Sequence, residues 1–276
     1  MDLTHELTVF VPTVGYPTLA ECLDHLRAQD CTFKMQLIER VAPLSAAFQR
    51  MLDDCSTPYF AQVDEDMLLY PHAIRTLYER ISQSDARVAQ YVCALYDVHL
   101  DRVIYGLKIY RHEIVRRYPY RDTEGCEWDQ VRRFRADGFL DIRVPLQGAT
   151  RDSESTLGLH GTRWTPQAAY IRFATLERKR RKGNKTHAWV REAALRLCDR
   201  FLDDMSEVDF YALMGVLAGS LSNNSTTGRE KDYRRYDETP GLRHLDRFVQ
   251  EVRTGWSEGD PLADKDGAVD VLPPSP

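Results

Sequence analysis

Short apolar runs alternate with segments of helical periodicity along the first part of the chain. Residues 7–12, 35–39 and 59–63 are largely apolar and include β-branched and aromatic side chains, which predicts three strands. Between them, apolar residues recur at helical spacing over about 17–29 and 44–54. Because strands and helices alternate at these intervals, the pattern predicts an α/β fold with a mostly parallel, Rossmann-like sheet flanked by helices.

The pattern changes further along the chain. A helix over about 71–83 precedes strands at 86–96 and 102–110, a short helix near 111–117, a helix ending near 137 and a strand at 140–144. Beyond residue 165 the periodicity is helical, over about 164–181, 187–204, 206–220 and 240–254. We therefore expect an α/β domain over 1–165, a helical C-terminal region over 166–256 and a tail over 257–276. The tail holds five acidic residues against one lysine and ends in Pro-Pro-Ser-Pro, which predicts disorder.

Composition and charge narrow the class of protein. A hydrophobic fraction of 43% in 276 residues supports a real core, and no apolar run reaches the ~18 residues of a membrane span. The first six residues are acidic rather than basic, which argues against a secretory signal. The six cysteines form no Cys-x-x-Cys pair, so neither a zinc ribbon nor a disulfide framework is expected. These features predict a cytoplasmic protein, and the net charge of −5 means that any affinity for nucleic acid must be local.

Three consecutive acids, Asp64, Glu65 and Asp66, follow the third predicted strand. Desolvating a carboxylate is costly unless a partner or a metal compensates, so the three cannot all be buried unpaired. In an extended chain Asp64 and Asp66 leave the backbone on the same side, where two carboxylates suit a hard divalent cation shared with phosphate oxygens. The alternative is an acidic loop that ends a strand and caps the next helix. Ligands of such sheets bind beyond the carboxyl ends of the strands, where Pro12, Thr13 and Glu39 also fall.

The motifs PTVGYPTL, PYFAQVDEDMLLYPHAI, GLKIYR and GCEWDQV, taken in this order, resemble a family 2-type glycosyltransferase of the GT-A fold. The resemblance covers about residues 1–165, and its most specific part is the acidic triplet ahead of a Pro-led helix. It implies metal-dependent transfer of a sugar from a nucleotide sugar, with UDP the expected nucleotide, to an acceptor hydroxyl. A sugar nucleotidyltransferase would instead open with a basic, Gly-rich loop, which is not the sequence of residues 13–17.

The resemblance also implies roles for single residues. Pro12 and Thr13 would lie against the nucleotide, Glu39 would reach the base or ribose, and Asp64 would face the ribose or sugar. Asp66 would bind Mn²⁺ or Mg²⁺ at the diphosphate, with His160 and Asp64 completing the metal shell.

The resemblance also implies a carboxylate that acts as the catalytic base. Asp129 matches the base of inverting members, but Trp128 separates it from Glu127 where an adjacent acidic pair is usual. Either Glu127 or Asp129 could therefore be the base, and Asp129 could instead be a helix N-terminal acid favoured by the macrodipole. Trp128 is expected in the core or in the wall of the acceptor site. His160 could equally be an ordinary packing histidine.

A cluster of cations is the sharpest charge feature of the chain: Arg178, Lys179, Arg180, Arg181, Lys182 and Lys185. It is either a solvated helix end or a phosphate-binding patch. In the second case the acceptor could be DNA, such as a hydroxymethylated pyrimidine of phage DNA. A glycan acceptor in polysaccharide biosynthesis is the first alternative. A non-catalytic module that binds a nucleotide sugar or nucleic acid is an alternative of another class.

Overall fold

The structure, a computed structural model, describes residues 1–123, 125–181, 190–221 and 240–255. Within the helices it leaves out the side chains of residues 179, 240, 241 and 252–255. Residues Met1–Arg234 form one compact unit and Arg235–Pro276 form a second. The division predicted at residue 165 therefore falls inside the first unit. Lys182, Lys185 and the tail predicted over 257–276 lie outside the described residues.

Eight strands and eight helices are described in the first unit. The strands are β1 (Leu7–Thr13), β2 (Lys34–Glu39), β3 (Tyr59–Gln62), β4 (Met67–Leu69), β5 (Val88–Asp97), β6 (Arg102–Arg111), β7 (Leu140–Arg143) and β8 (Thr156–His160). The helices are α1 (Leu19–Arg27), α2 (Leu44–Asp54), α3 (Ala73–Ser82), α4 (His112–Val115), α5 (Cys126–Ala136), α6 (Pro166–Arg181), α7 (Val190–Asp204) and α8 (Glu207–Leu221). The described part of the second unit is one helix, α9 (Pro240–Gly255).

All eight strands join one sheet in the order β2-β1-β3-β6-β5-β8-β4, with β7 paired to β5 beside β8. The pairings β1–β2, β1–β3, β5–β7 and β5–β8 are parallel. The pairings β3–β6, β5–β6 and β4–β8 are antiparallel. The predicted α/β fold with a mostly parallel sheet is therefore confirmed, although three of the seven pairings described are antiparallel.

Each predicted helix and strand within the described residues is present to within a few residues. The sequence patterns missed two strands, β4 and β8, which pair with each other and place Met67 opposite His160. A three-residue strand is too short for periodicity to reveal, and β8 contains Gly158, whose Cα lies against the backbone of Leu68. The missed pairing matters because it brings the acidic triplet and His160 to the same place.

Helices cover both faces of the sheet. On one face, α1 and α3 contribute Cys22, Leu26, Ile74 and Leu77 to a core that includes the inward side of β1, β3, β4 and β5. On the other, α2 and α5 bury Phe48, Met51, Val131 and Phe134 against Phe10, Phe60 and Tyr110. Burial on both sides explains why the sequences of β1, β3 and β4 are largely apolar rather than alternating.

The helices α6, α7 and α8 form a third, smaller core around Phe173, Ala193, Leu197 and Ala212. Two glycines of α8 allow α6 to approach closely. A Cβ at Gly219 would lie 2.6 Å from the Ala174 carbonyl oxygen, and a Cβ at Gly215 would overlap the Tyr170 carbonyl oxygen. Glycine is therefore required at this helix crossing despite its low helix propensity.

In the described residues, no helix has the length and apolar character needed to cross a membrane.

We expect Gly215→Ala to destabilise the protein, although alanine in place of glycine favours a helix by about 1 kcal/mol. The added methyl group has no room against Tyr170, and overpacking costs about 1–3 kcal/mol. Leu217→Ala on the exposed side of the same helix is the matched control and should change stability much less. Urea unfolding monitored by circular dichroism measures both. A Gly215→Ala protein as stable as the wild type would contradict the close helix crossing.

Candidate functional site

The acidic triplet lies in a turn between β3 and β4, not at the end of an extended strand. The amide of Met67 donates to the carbonyl oxygen of Asp64 at 3.0 Å, which closes the turn. The prediction that Asp64 and Asp66 leave an extended backbone on one side is therefore wrong, because β3 ends at Gln62. In the turn, the three carboxylates face three different sets of partners.

Glu65 holds the loop between β1 and α1. Its carboxylate accepts hydrogen bonds from the amides of Val14 (3.0 Å) and Tyr16 (2.8 Å) and from the hydroxyl of Thr13. Its carbonyl oxygen accepts from the Thr18 hydroxyl at 2.9 Å. Glu65 therefore fixes the position of this loop relative to the other two acids, a structural role that the sequence analysis did not assign.

Asp66 faces His160, the last residue of β8. The distance from Asp66 Oδ2 to His160 Nε2 is 3.3 Å. On the other side of the ring, His160 Nδ1 donates to Asp97 Oδ2 at 2.9 Å, and Arg172 Nη2 of α6 donates to the same oxygen at 2.8 Å. Acidic side chains and nitrogen-bearing side chains thus alternate along a row of contacts. We call this row the acid–histidine chain; it consists of Asp66, His160, Asp97 and Arg172.

The acid–histidine chain shifts the pKa values of its members. Burial alone would raise the pKa of Asp97, but Arg172 and His160 hold it well below its ordinary range. Burial alone would lower the pKa of His160, but the Asp66 carboxylate and the Asp97 hydrogen bond raise it above its ordinary value. Asp97 is therefore ionised, and Nδ1 of His160 carries the proton that it donates to Asp97.

Asp64 belongs to a second network. Gln62 Nε2 donates to Asp64 Oδ1 at 2.9 Å, and Lys108 on β6 lies near enough to stabilise the carboxylate. Burial nevertheless raises the pKa of Asp64, and the Lys108 charge only partly offsets this effect. Lys108 also forms an ion pair with Glu127 on the first turn of α5. Glu127 is thereby held near the Asp64 side of the site.

Asp129, the other candidate base, is engaged elsewhere. Arg133 Nε donates to Asp129 Oδ2 at 2.9 Å, one helical turn further along α5. Arg132 lies 3.8 Å from Asp129 Oδ1. Trp128, between the two acids, is 45% exposed. The expectation that Trp128 could be a core residue is wrong, because it is among the exposed large side chains of the chain.

Pro12, Thr13 and Glu39 lie together at the carboxyl edge of the sheet, as predicted. Thr13 and Glu39 are direct neighbours in the β1–β2 register, and Thr13 is bonded to Glu65. Glu39 is exposed. Their roles toward a nucleotide stay predictions.

The described arginines of the basic cluster have partners inside the protein. Arg180 forms two hydrogen bonds of 2.7 Å with the Glu177 carboxylate, and Arg181 donates to the carbonyl oxygen of Ser220 on α8. Arg178 donates to the Thr175 hydroxyl at 3.1 Å. The side chain of Lys179 and all of Lys182 and Lys185 lie outside the described residues. These contacts fit a helix end that packs on α8.

The facing pair of Asp66 and His160 suits a divalent cation. With Nδ1 protonated, Nε2 of a neutral ring carries a lone pair directed at a carboxylate oxygen, and two acceptors in contact need a proton or a cation between them. A carboxylate behind the ring is the usual outer partner of a metal-ligating histidine. Among the described residues no group of three or more His, Cys, Asp or Glu side chains is arranged around a common point. Most ligands of such an ion would therefore come from a bound substrate or water, as is common for Mg²⁺.

Sequence reasoning missed Asp97, Arg172 and Lys108. Asp97 directly follows a predicted strand and Lys108 lies inside one, so their positions were known but not their partners. Only the sheet order brings β5 beside β8 and β3 beside β6. Arg172 lies in a helix whose contact with the sheet no local pattern predicts.

No protein-family profile matches the chain, and no curated protein is similar to it in sequence. Solved structures are similar at low identity. The mannosyltransferase PcManGT from Pyrobaculum calidifontis, in complex with GDP-Man and Mn²⁺, has a TM-score of 0.47 and 12% identity, over 94% of this chain and 77% of that one. S. aureus TarS (residues 1–349) in complex with UDP has a TM-score of 0.41 and 12% identity, over 77% of this chain and 70% of that one.

A third similar structure is the 4-diphosphocytidyl-2C-methyl-D-erythritol synthase from Anaerococcus prevotii. Its TM-score is 0.36 at 6% identity, over 54% of this chain and 93% of that one. The similar structures thus include a glycosyltransferase, the kind of protein that the sequence resembles.

We expect Glu65→Gln to destabilise the protein. An amide presents an N–H group where the carboxylate accepts from backbone amides, and hydrogen bonds to charged groups contribute about 1.5–3 kcal/mol. The exposed Glu154→Gln is the matched control. Thermal unfolding of the two variants and the wild type measures this effect. Equal behaviour of the two variants would show that Glu65 does not fix the β1–α1 loop.

Proposed function

We propose that the chain is a glycosyltransferase that uses a nucleotide sugar, with UDP as the nucleotide, and a divalent cation to glycosylate an acceptor hydroxyl. The observation that carries this proposal is the facing pair of Asp66 and His160, 3.3 Å apart, at the carboxyl edge of the sheet. The buried Asp97 holds the far side of the histidine ring, so the pair is oriented before any ligand binds.

The donor nucleotide would lie across the ends of β1 and β2. Pro12 and Thr13 would contact it, Glu39 would reach the base or ribose, and Asp64 would accept a hydrogen bond from the ribose or sugar. The contacts of Glu65 support this arrangement, because its carboxylate bonds Thr13 and the loop after β1 to the acidic turn. A loop fixed in this way binds a ligand without a further loss of conformational entropy.

Asp66 and His160 would hold Mn²⁺ or Mg²⁺, with Asp64 nearby and phosphate oxygens of the donor as further ligands. Such an ion neutralises the negative charge that develops on a departing nucleoside diphosphate. The protein's own part is to orient the two ligands. The His160 ring is fixed by Asp97, and Asp97 by Arg172.

Glu127 is the candidate base that the contacts favour over Asp129. It lies in the network of Lys108 and Asp64, whereas the described partners of Asp129 are arginines of its own helix. A hydroxyl is a weak nucleophile, so a carboxylate within hydrogen-bond reach takes its proton as the new bond forms. Lys108 forms the ion pair that holds the Glu127 carboxylate in this network.

The remaining candidate functions differ in the acceptor: DNA, a glycan or none. A DNA acceptor, such as a hydroxymethylated pyrimidine, would use the basic cluster, but its described arginines are bonded within α6 and to α8. A glycan acceptor needs no such cluster and is therefore the version that these contacts favour. A non-catalytic module would bind the nucleotide sugar without transfer.

Metal dependence gives the first test of this function. We expect Asp66→Asn and His160→Ala to weaken Mn²⁺ binding in the presence of UDP, measured by the loss of the free-ion EPR signal. Both variants should stay folded, and both should lose Mn²⁺-dependent hydrolysis of UDP-sugars. Asp24→Asn, an exposed carboxylate on α1, is the control. Hydrolysis that persists in EDTA would contradict the metal site. UDP-sugar binding without hydrolysis or transfer by the wild type would indicate a binding module.

The base gives the second test. Removing a general base costs about 10²–10⁴-fold in rate, so Glu127→Gln should lower transfer by that factor while UDP affinity stays near that of the wild type. Asp129→Asn, which removes a carboxylate from the same helical turn, should lower it by less than about tenfold. The reverse order would make Asp129 the base. Equal small effects would exclude both residues.

A further inference from the structure

Two exposed aromatic rings lie beside one guanidinium at the start of α5. Trp128 is 45% exposed and Tyr105, on β6, is 38% exposed. The guanidinium carbon of Arg143, the last residue of β7, lies 4.4 Å from the centroid of the Trp128 ring and 5.3 Å from that of Tyr105. We call these three residues the aromatic platform. Three separate elements contribute to it, so it is a product of the tertiary fold.

The Arg143 guanidinium is held by Asp141 through Nε, and its two terminal nitrogens can bind a ligand. Its Nε donates to Asp141 Oδ2 at 2.8 Å, and the Asp141 side chain is 2% exposed. In the part of the chain that the structure describes, Nη1 and Nη2 of Arg143 make no hydrogen bond. The two terminal nitrogens are coplanar donors, a geometry that suits the two oxygens of a carboxylate or phosphate. The hydrogen bond to Asp141 and the contacts with the two rings limit the motion of the side chain.

The aromatic platform shares two elements with the proposed base. Trp128 and Glu127 both lie in the first turn of α5, and Tyr105 lies on β6, the strand that carries Lys108, the partner of Glu127. A ligand resting on the Trp128 ring would therefore lie at the turn of α5 that carries the proposed base. Exposed aromatic rings around a charged group are typical of binding sites rather than of ordinary surface.

We propose that the aromatic platform is the acceptor subsite and that it takes an anionic carbohydrate. The aliphatic C–H face of a sugar ring would pack on Trp128 and Tyr105, and a carboxylate or phosphate of the acceptor would bind Arg143. This inference rests on the proposed function and adds the chemical class of the acceptor. One arginine, paired with an aspartate, is a small charge for a nucleic acid, whose binding depends on many phosphate contacts.

The test is a set of binding titrations with the full chain. The probes are oligogalacturonate, a phosphorylated mannan oligosaccharide, a neutral galactan of the same length and duplex DNA containing hydroxymethylcytosine. We expect the wild type to bind at least one of the two anionic oligosaccharides about tenfold tighter than the neutral one. Arg143→Gln should remove that preference, and Trp128→Ala should weaken both the anionic and the neutral oligosaccharide.

Two substitutions serve as controls. Arg27→Gln removes an exposed arginine that is paired with an aspartate, as Arg143 is, and Phe248→Ala removes an exposed ring. Both should bind the probes as the wild type does. The proposal is overturned if Arg143→Gln keeps the preference, if no oligosaccharide binds, or if the DNA binds and depends on Trp128.

Failure of this inference can be distinguished from failure of the proposed function. UDP and Mn²⁺ binding are titrated on the same samples. Intact UDP and Mn²⁺ binding with no effect of Trp128 or Arg143 would remove only the acceptor subsite. Loss of UDP-sugar binding and hydrolysis in the wild type would remove the glycosyltransferase itself, whatever binds to the aromatic platform.

Discussion

The buried carboxylate of Asp97 is the constraint on which the rest of the site depends. Its side chain is fully buried at the end of β5, where an ionised group is tolerated only with partners. It has three: His160 on β8, Arg172 on α6 and the amide of Leu100 at 2.8 Å. Because these partners come from different elements, one side chain connects the sheet, the β5–β6 turn and helix α6. The same contact sets the proton position on His160.

The three carboxylates of the acidic triplet have different partners and therefore different roles. Glu65 is used for structure, since it holds the β1–α1 loop through the Thr13 hydroxyl and backbone amides. Asp64, partly buried, is balanced by Gln62 and Lys108. That leaves Asp66 directed at His160, where a proton or a cation is needed between the carboxylate oxygen and Nε2 of the ring. The turn directs Asp64 and Asp66 to different partners, whereas an extended strand would place these two side chains on the same side.

The arginines at the end of α6 and Arg143 at the end of β7 differ in how their charge is used. The described arginines of the basic cluster are bonded within α6 and to the carbonyl oxygen of Ser220, so they stabilise the packing of helices. Arg143 is different, since it is fixed by Asp141 yet retains unbonded nitrogens between two exposed rings. Charge density in the sequence singled out the arginines of α6, whose described contacts lie within the protein. Recognition depends on which donors stay unsatisfied after folding.

The sequence by itself determined the order and type of the elements. Apolar runs and helical spacing are local properties, so β1, α1, β2, α2 and β3 were predictable, as was the position of the acidic triplet at the carboxyl edge of the sheet. The tertiary structure alone decided which side chains meet. β4 and β8 were too short or too irregular to predict, yet their pairing places His160 beside Asp66. Asp97, Arg172 and Lys108 acquired their partners through strand order and helix packing, which depend on contacts between residues far apart in the chain. No local pattern encodes such contacts, because their free energy arises only when the distant segments are brought together.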